Sequence, residues 1–253
     1  MPSVLVIHAH PDDESFANAG RVAQLTAQGY HVIGIIATGG EATELAVSRD
    51  MAQARSRRLR KYERALTVLG VNSWEWLERG AEWLDAREGP LVSQADPARL
   101  KRAVERLLDE HTPEMVLTVG RDGLTGHPDH VAISHAVRDA VHHRTIPGGV
   151  WGAQLAVDDV HAGMRLAAPF ATDRQIGSGR LTGTHAQLAT FDVAAVETSR
   201  RRALDIYTDG LGTGELRSLA GGADRIGDGL LLRAIYDAQE WGIERYERLD
   251  AVR

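Results

Sequence analysis

The chain contains no cysteine among its 253 residues. Disulfides, thiolate metal sites and thiol nucleophiles are therefore excluded. No apolar run reaches the roughly 18 residues that a membrane-spanning helix needs. No basic segment precedes the short apolar run that begins at Val4, so a secretory leader is not expected either. A Gly-x-Gly-x-x-Gly or Walker-type loop after a strand is missing, as is a Gly-x-Ser-x-Gly elbow. Nucleotide binding and serine hydrolysis thus have no support. Basic residues are fewer than acidic ones, with a formal charge of −6, which argues against nucleic acid or an anionic membrane as partner. A soluble, cytoplasmic protein is the expectation.

What is present is an ordinary globular composition, 43% hydrophobic and 25% charged. Such a chain fills a core without a staple, so a metal, if bound, would serve chemistry rather than folding. Val4 to Ile7 reads as a buried strand, followed by a helix with Phe16, Ala19, Gly20, Ala23 and Ala27 on one face and Gly29 at its end. Val32 to Ala37 is a second strand. A long helix from about Ser48 to Leu69 turns Met51, Ala54, Tyr62, Ala65, Leu66 and Leu69 inward and stops at Gly70. Its basic run, Arg55, Arg57, Arg58, Arg60 and Lys61, reads mainly as a solvated face. A third strand lies around Trp74 to Leu77. Asp96-Pro97 opens a helix in the order of cap then proline, and Met115 to Val119 is the next strand. A further helix carries Ile133, Ala136, Val137, Ala140 and Val141.

This alternation predicts an α/β fold, a Rossmann-like, mostly parallel sheet flanked by helices. After Ile146 the regularity fades into glycine-rich loops, with helices only near Val193 to Tyr207 and Leu230 to Gln239. One domain over residues 1–253 is expected, with a core of 1–145 and a loop-rich part, 146–253, decorating the open edge and rim of the sheet and shaping a substrate pocket.

Two segments carry chemistry. His10-Pro11-Asp12-Asp13-Glu14 follows the first strand, and His127-Pro128-Asp129-His130 follows the Met115–Val119 strand. Both lie at carboxyl ends of strands and open helices, where ligands bind in open parallel sheets. His10, Asp13 and His130 suit one divalent metal, since two histidines and a carboxylate with a position left open is the pattern of catalytic zinc. Zinc would acidify a water and polarise a carbonyl. Asp12 adjoins a ligand but cannot point the same way as Asp13, which frees it as general base. His127 could donate to an oxyanion or protonate a leaving amine, with Asp129 as its partner. An Asp-Asp pair alone would be read as a helix cap, but four residues of suitable type at two strand ends are not explained by capping.

These motifs resemble the LmbE-like, or PIG-L, family of zinc deacetylases, over roughly the first 145 residues. Its members act in mycothiol and bacillithiol synthesis, on glycosylphosphatidylinositol precursors, and in aminoglycoside and glycopeptide pathways. The resemblance implies one Zn²⁺ per chain, with Fe²⁺ as the other candidate, held by His10, Asp13 and His130. It implies Asp12 as general base, and His127, partnered by Asp129, as oxyanion stabiliser or general acid. The implied substrate is a small molecule, an N-acylated amino sugar such as an N-acetylglucosamine conjugate. Thr38-Gly39-Gly40-Glu41 matches the family's Thr-x-Gly-Glu loop, which places Glu41 near the substrate. Arg58 falls where many relatives contact the sugar. Relatives assemble in several ways, which leaves a homo-oligomer open. Two positions depart from the pattern: Thr125 stands where some members carry a mobile tyrosine, and Lys61 where an acidic residue is common.

Two other classes compete. A non-haem iron(II) oxygenase uses the same ligand set, but Asp12 and His127 then have no task. A metal-binding, receiver-like phosphotransfer module also ends its first strand in an acidic pair, but would leave the histidines idle. His8 reads as a packed neighbour, while His111, His142, His143 and His161 lack partners at ligand spacing. Trp74, Trp76 and Trp83 read as core rather than as a sugar-binding wall.

Overall fold

Along the first strand, alternate side chains leave on opposite faces. Val4 and Val6 enter one apolar cluster and Leu5 and Ile7 another. A strand buried on both faces belongs inside a sheet covered by helices on each side, and that is where it sits. The computed structural model describes residues 1–48, 50–78, 83–86, 89–170, 176–221 and 226–251. Among them, β1 (Ser3–His8), β2 (His31–Ile36), β3 (Ser73–Trp76), β4 (Met115–Val119), β5 (Val150–Gln154), β6 (Ala189–Asp192) and β7 (Ile243–Arg248) form one sheet.

The order is β3-β2-β1-β4-β5-β7-β6. β1 pairs in parallel with β2 and β4, β2 with β3, and β4 with β5, whereas β7 runs antiparallel to both β5 and β6. The chain moves outward from β1 through β2 to β3, then returns to place β4 on the other side of β1. That reversal opens a crevice between the carboxyl ends of β1 and β4, the standard ligand position in such sheets. Leu100, Val104, Leu107, Ile133, Val137 and Val141 cover one face, from the helices Pro97–His111 and Pro128–Val141. Val22, Leu25, Leu204, Leu232 and Ile235 cover the other, from Ala19–Ala27, Glu197–Tyr207 and Asp228–Ala238.

The helix boundaries follow local chemistry. The Asp50 carboxylate accepts from Ala52 N at 2.9 Å to start the helix Met51–Leu69, which Gly70 ends with φ +75°. Asp96 accepts from Ala98 N at 3.0 Å with Pro97 at the first helical position. Trp83 is buried in the core and Tyr62 stacks edge-on with Trp74, so these rings pack as expected.

The expectation of loops in place of strands after Ile146 is corrected. That part supplies β5, β6 and β7 to the sheet itself. β5 was hidden by Gly152, which packs so closely that a Cβ would lie 2.8 Å from Gly120 Cα and from Val119 O. In β7 the buried positions are Glu244 and Tyr246, not aliphatic residues. Glu244 is buried because it accepts from Gly20 N at 2.7 Å and Arg21 N at 2.9 Å and pairs with Arg200 at 3.2 Å.

Candidate metal centre and active site

The loop after β1 is fixed by its own carboxylates. Asp13 Oδ2 accepts from Ala9 N at 3.1 Å and His10 N at 3.0 Å, which leaves Oδ1 facing His130 Nε2 at 3.0 Å. Asp12 points elsewhere because its backbone takes φ +126°, outside the range an ordinary residue prefers. Such strain costs on the order of 1–3 kcal/mol and persists only where neighbours enforce it. Asp12 N donates to Glu14 Oε2 at 3.0 Å, and the Asp12 carbonyl accepts from Ser15 N at 2.9 Å and Phe16 N at 3.1 Å. The chain then makes one π-helical turn, Glu14–Asn18, before the helix proper.

The loop after β4 is shaped by Asp122, whose carboxylate accepts from Leu124 N at 2.8 Å. Leu124 takes φ +63° and directs the Gly123 carbonyl at His130. His130 Nδ1–H donates to that carbonyl at 3.0 Å. His127 is the N-cap of the helix Pro128–Val141, its Nδ1 accepting from Asp129 N at 3.3 Å. The proton of neutral His127 therefore resides on Nε2.

The same reasoning assigns His10, as an outer hydrogen bond fixes a ring's tautomer. His10 Nε2–H donates to Asp129 Oδ2 at 3.3 Å, and Asp129 Oδ1 accepts from Ser93 N at 2.8 Å. In their neutral forms, His10 Nδ1 and His130 Nε2 then present bare lone pairs to one another across 3.1 Å. Asp13 stands beside both, at 3.0 Å from His130 Nε2 and 3.9 Å from His10 Nδ1. Zn–N bonds of 2.0–2.1 Å in a tetrahedron imply ligand–ligand edges of about 3.3 Å. The donor set thus fits a divalent metal in both spacing and lone-pair direction. His127 contributes a further ring nitrogen within 4.8 Å of those of His10 and His130.

The surrounding carboxylates favour positive charge at His10. Burial disfavours a charged His10, yet Asp129, Asp13, Asp85 and Asp12 outweigh it and raise its pKa to about 9. Against burial, hydrogen bonds from His10 and Ser93 hold Asp129 down at about 2. Burial would raise Asp13 too, but His130 and His10 keep it well below the usual carboxylate range. Burial, then the neighbouring His10 and His130, lowers His127 to about 4. Burial lifts the Asp12 carboxyl above its ordinary range against the opposing Arg58 guanidinium, with Asp13 adding to the rise.

A cavity of about 330 Å³ opens over these groups, lined by His10, Asp12, Asp13, Arg58, Asp85, His127 and His130 together with Phe16, Leu124 and Leu232. All the residues expected at the metal, and Asp12 and His127, meet here. Three expectations are corrected. Asp129 sits beside His10 rather than His127, because the helix start turns its carboxylate toward the β1 loop. Glu41 does not line the cavity; fully buried, it accepts from Arg55 Nε at 2.5 Å and from Asp85 N at 3.1 Å. Arg58 is no solvated charge: at 3% exposure it lines the cavity, but its Nε donates to Pro11 O at 3.0 Å and its Nη2 pairs with Asp12. Gly40, at φ +65°, makes room for that crossing, since a Cβ there would lie 2.8 Å from Arg58 Cγ.

Asp85 escaped sequence reasoning. It lies in an irregular segment without a motif and faces the cavity, 3.9 Å from His10 Nε2. Thr125 reaches His130 Nδ1 at 3.5 Å and lines the same space.

Residues 5–141 match the family described as PIG-L, GlcNAc-PI de-N-acetylase. The chain belongs to the PIG-L family. A relative from Mycobacterium sp. (strain KMS), a 1D-myo-inositol 2-acetamido-2-deoxy-alpha-D-glucopyranoside deacetylase, is 32% identical over 155 residues, which are 56% of this chain and 50% of the relative. The chain spans about half the length of the curated relatives it matches. Among solved structures, the N,N'-diacetylchitobiose deacetylase of Pyrococcus horikoshii superposes with a TM-score of 0.61 at 17% identity, covering 97% of this chain and 83% of that one. The 4-carboxy-2-hydroxymuconate hydratase GalB of Pseudomonas putida KT2440 superposes with a TM-score of 0.58 at 17% identity, covering 97% and 96%. This PIG-L chain therefore shares its fold with a deacetylase and with a hydratase, and its activity has to be argued from its site.

Proposed function

We propose that the chain is a zinc-dependent amidohydrolase that removes the acetyl group from a small N-acetylated amino sugar. The reading is carried by one observation: the lone pairs of His10 Nδ1 and His130 Nε2 and the Asp13 carboxylate converge within 3.9 Å on the cavity that Asp12 and His127 also line. Bound zinc would polarise the amide carbonyl and acidify water there. Asp12 is the base, since Arg58 takes its Oδ2 and leaves Oδ1 for the attacking water. The proton it receives passes to the leaving nitrogen, so that amide and water become carboxylic acid and amine. His127 donates from Nε2–H to the carbonyl oxygen as negative charge develops. Because Nδ1 already accepts from Asp129 N, oxyanion donation is favoured over proton delivery to the amine. From the carboxyl-terminal part, Asp228, Gly229 and Leu232 stand on the cavity wall and shape the substrate side.

The deacetylase relatives and the family match support the same substrate class. The test is to supply zinc-loaded protein with N-acetylglucosaminyl-inositol, N,N'-diacetylchitobiose and free N-acetylglucosamine, and to read free amine. Amine release from at least one, absent in Asp12→Asn, is expected. No release from any N-acyl amino sugar, or full release by Asp12→Asn, would overturn the reading.

A further inference from the structure

The Asp12 base sits in a strained backbone position, and the groups that hold it form a closed circuit. Glu14 Oε2 accepts from Asp12 N at 3.0 Å. Glu14 Oε1 accepts from Ser15 Oγ at 2.7 Å and from Tyr207 OH at 2.9 Å. The Tyr207 ring lies against the Arg58 guanidinium, 4.6 Å from its carbon. Arg58 in turn donates to Pro11 O at 3.0 Å and pairs with the Asp12 carboxylate. One tyrosine thus touches both groups that grip Asp12, the one on its backbone and the one on its side chain. Glu14, Arg58 and Tyr207 are all buried.

Tyr207 comes from outside the segment that matches the family. It is the last residue of the helix Glu197–Tyr207, which packs against the helix Met51–Leu69 that carries Arg58. Lys61 Nζ, on that same helix, reaches the Tyr207 carbonyl at 3.4 Å and so ties the helix end to its neighbour. A tyrosine chosen for packing alone would need only its ring. Here the hydroxyl is directed at a buried carboxylate whose other oxygen holds the backbone of the base.

We propose that Tyr207, acting with Glu14, is a positioning residue for Asp12, so that the carboxyl-terminal part of the chain completes the catalytic base. This rests on the assignment of Asp12 as base. Tyr207→Phe keeps the ring on Arg58 and removes the hydroxyl. It should lower kcat about 10-fold, with KM and zinc content unchanged, because small displacements of a reacting group cost up to about 100-fold. Tyr207→Leu removes both contacts and should lower kcat about 100-fold.

The deciding experiment is a double-mutant cycle on zinc-loaded protein, since residues acting through one another are not additive. In an Asp12→Asn background, Tyr207→Phe should have no further effect on kcat, and Glu14→Gln should behave likewise. If Asp12→Asn itself leaves amide hydrolysis intact, the assignment of the base is wrong. If Asp12→Asn is defective but Tyr207→Phe reduces kcat equally in both backgrounds, or in neither, the positioning role is overturned. A crystal structure of Tyr207→Leu supplies a readout independent of turnover. Asp12 should leave its positive φ or lose its Arg58 contact, and an unmoved Asp12 loop would contradict the proposal.

Discussion

The two loops that build the site differ in how deeply they are buried. The β1 loop is clamped from within and from a neighbouring helix: Asp13 accepts from two backbone amides, and Glu14 and Arg58 hold Asp12 on either side. The β4 loop is held by two carboxylates, Asp122 accepting from the left-handed Leu124 and Glu247 from Arg121 N, and its His127 is only half-buried. The β1 loop carries two of the proposed metal-binding groups and the proposed base. The β4 loop carries His130 and the proposed donor His127, which lines the cavity. The difference teaches that the more buried loop holds the groups for which the proposed chemistry needs fixed geometry.

Substitutions test that contrast in order of expected size. Asp13→Asn removes an anionic ligand and disturbs its loop, so zinc affinity should collapse and turnover should fall to background, recovering in part when zinc is added in excess. Metal analysis after gel filtration, followed by a zinc titration of activity, checks this; full retention of zinc would show that the clamp is not a ligand. Asp12→Asn should keep zinc and lower kcat by roughly 10²–10⁴, the usual contribution of a positioned base. Added zinc should not rescue it, and rescue would exchange the roles of the two aspartates.

On the β4 loop, His127→Ala should keep zinc and lower kcat by about 10²–10³, as the loss of one oxyanion donor does. Loss of zinc from this variant would place His127 among the ligands, which its ring nitrogen within 4.8 Å of the others makes a real alternative. The smallest effect is expected from Asp129→Asn, which weakens the hydrogen bond that orients His10. Outer partners of metal-binding histidines contribute about 10–100-fold in affinity or activity. A zinc-binding isotherm indistinguishable from wild type, with unchanged turnover, would remove Asp129 from the site's support.

Much of the contrast was legible in the residues. The His-Pro-Asp-Asp-Glu and His-Pro-Asp-His segments could be placed at strand ends, and helix-type spacing located the buried faces of Pro97–His111 and Pro128–Val141. What stayed hidden depends on contacts between distant segments. Asp129 adjoins His127 in sequence, yet its partner is His10, 119 residues away. Arg58 did carry a signal, since it shares the inward stripe of Ala54, Tyr62 and Ala65, but a charge within a basic run is ordinarily solvated. Asp85 and Tyr207 carry none: one lies in an irregular segment, and the other ends a helix that reads as core. β7 was missed because a buried ion pair at Glu244 and the ring of Tyr246 replace an aliphatic face.

The most direct measurement is a stoichiometric titration of chelator-treated protein with zinc, reading bound metal and released amine from an N-acetylated amino sugar in the same samples. Binding should saturate at about one zinc per chain, and amine release should rise in step with it from a baseline near zero. Full amine release before any zinc is added, or saturation of zinc in folded protein with no amine release, would contradict a metal-dependent amidohydrolase built on His10, Asp13 and His130.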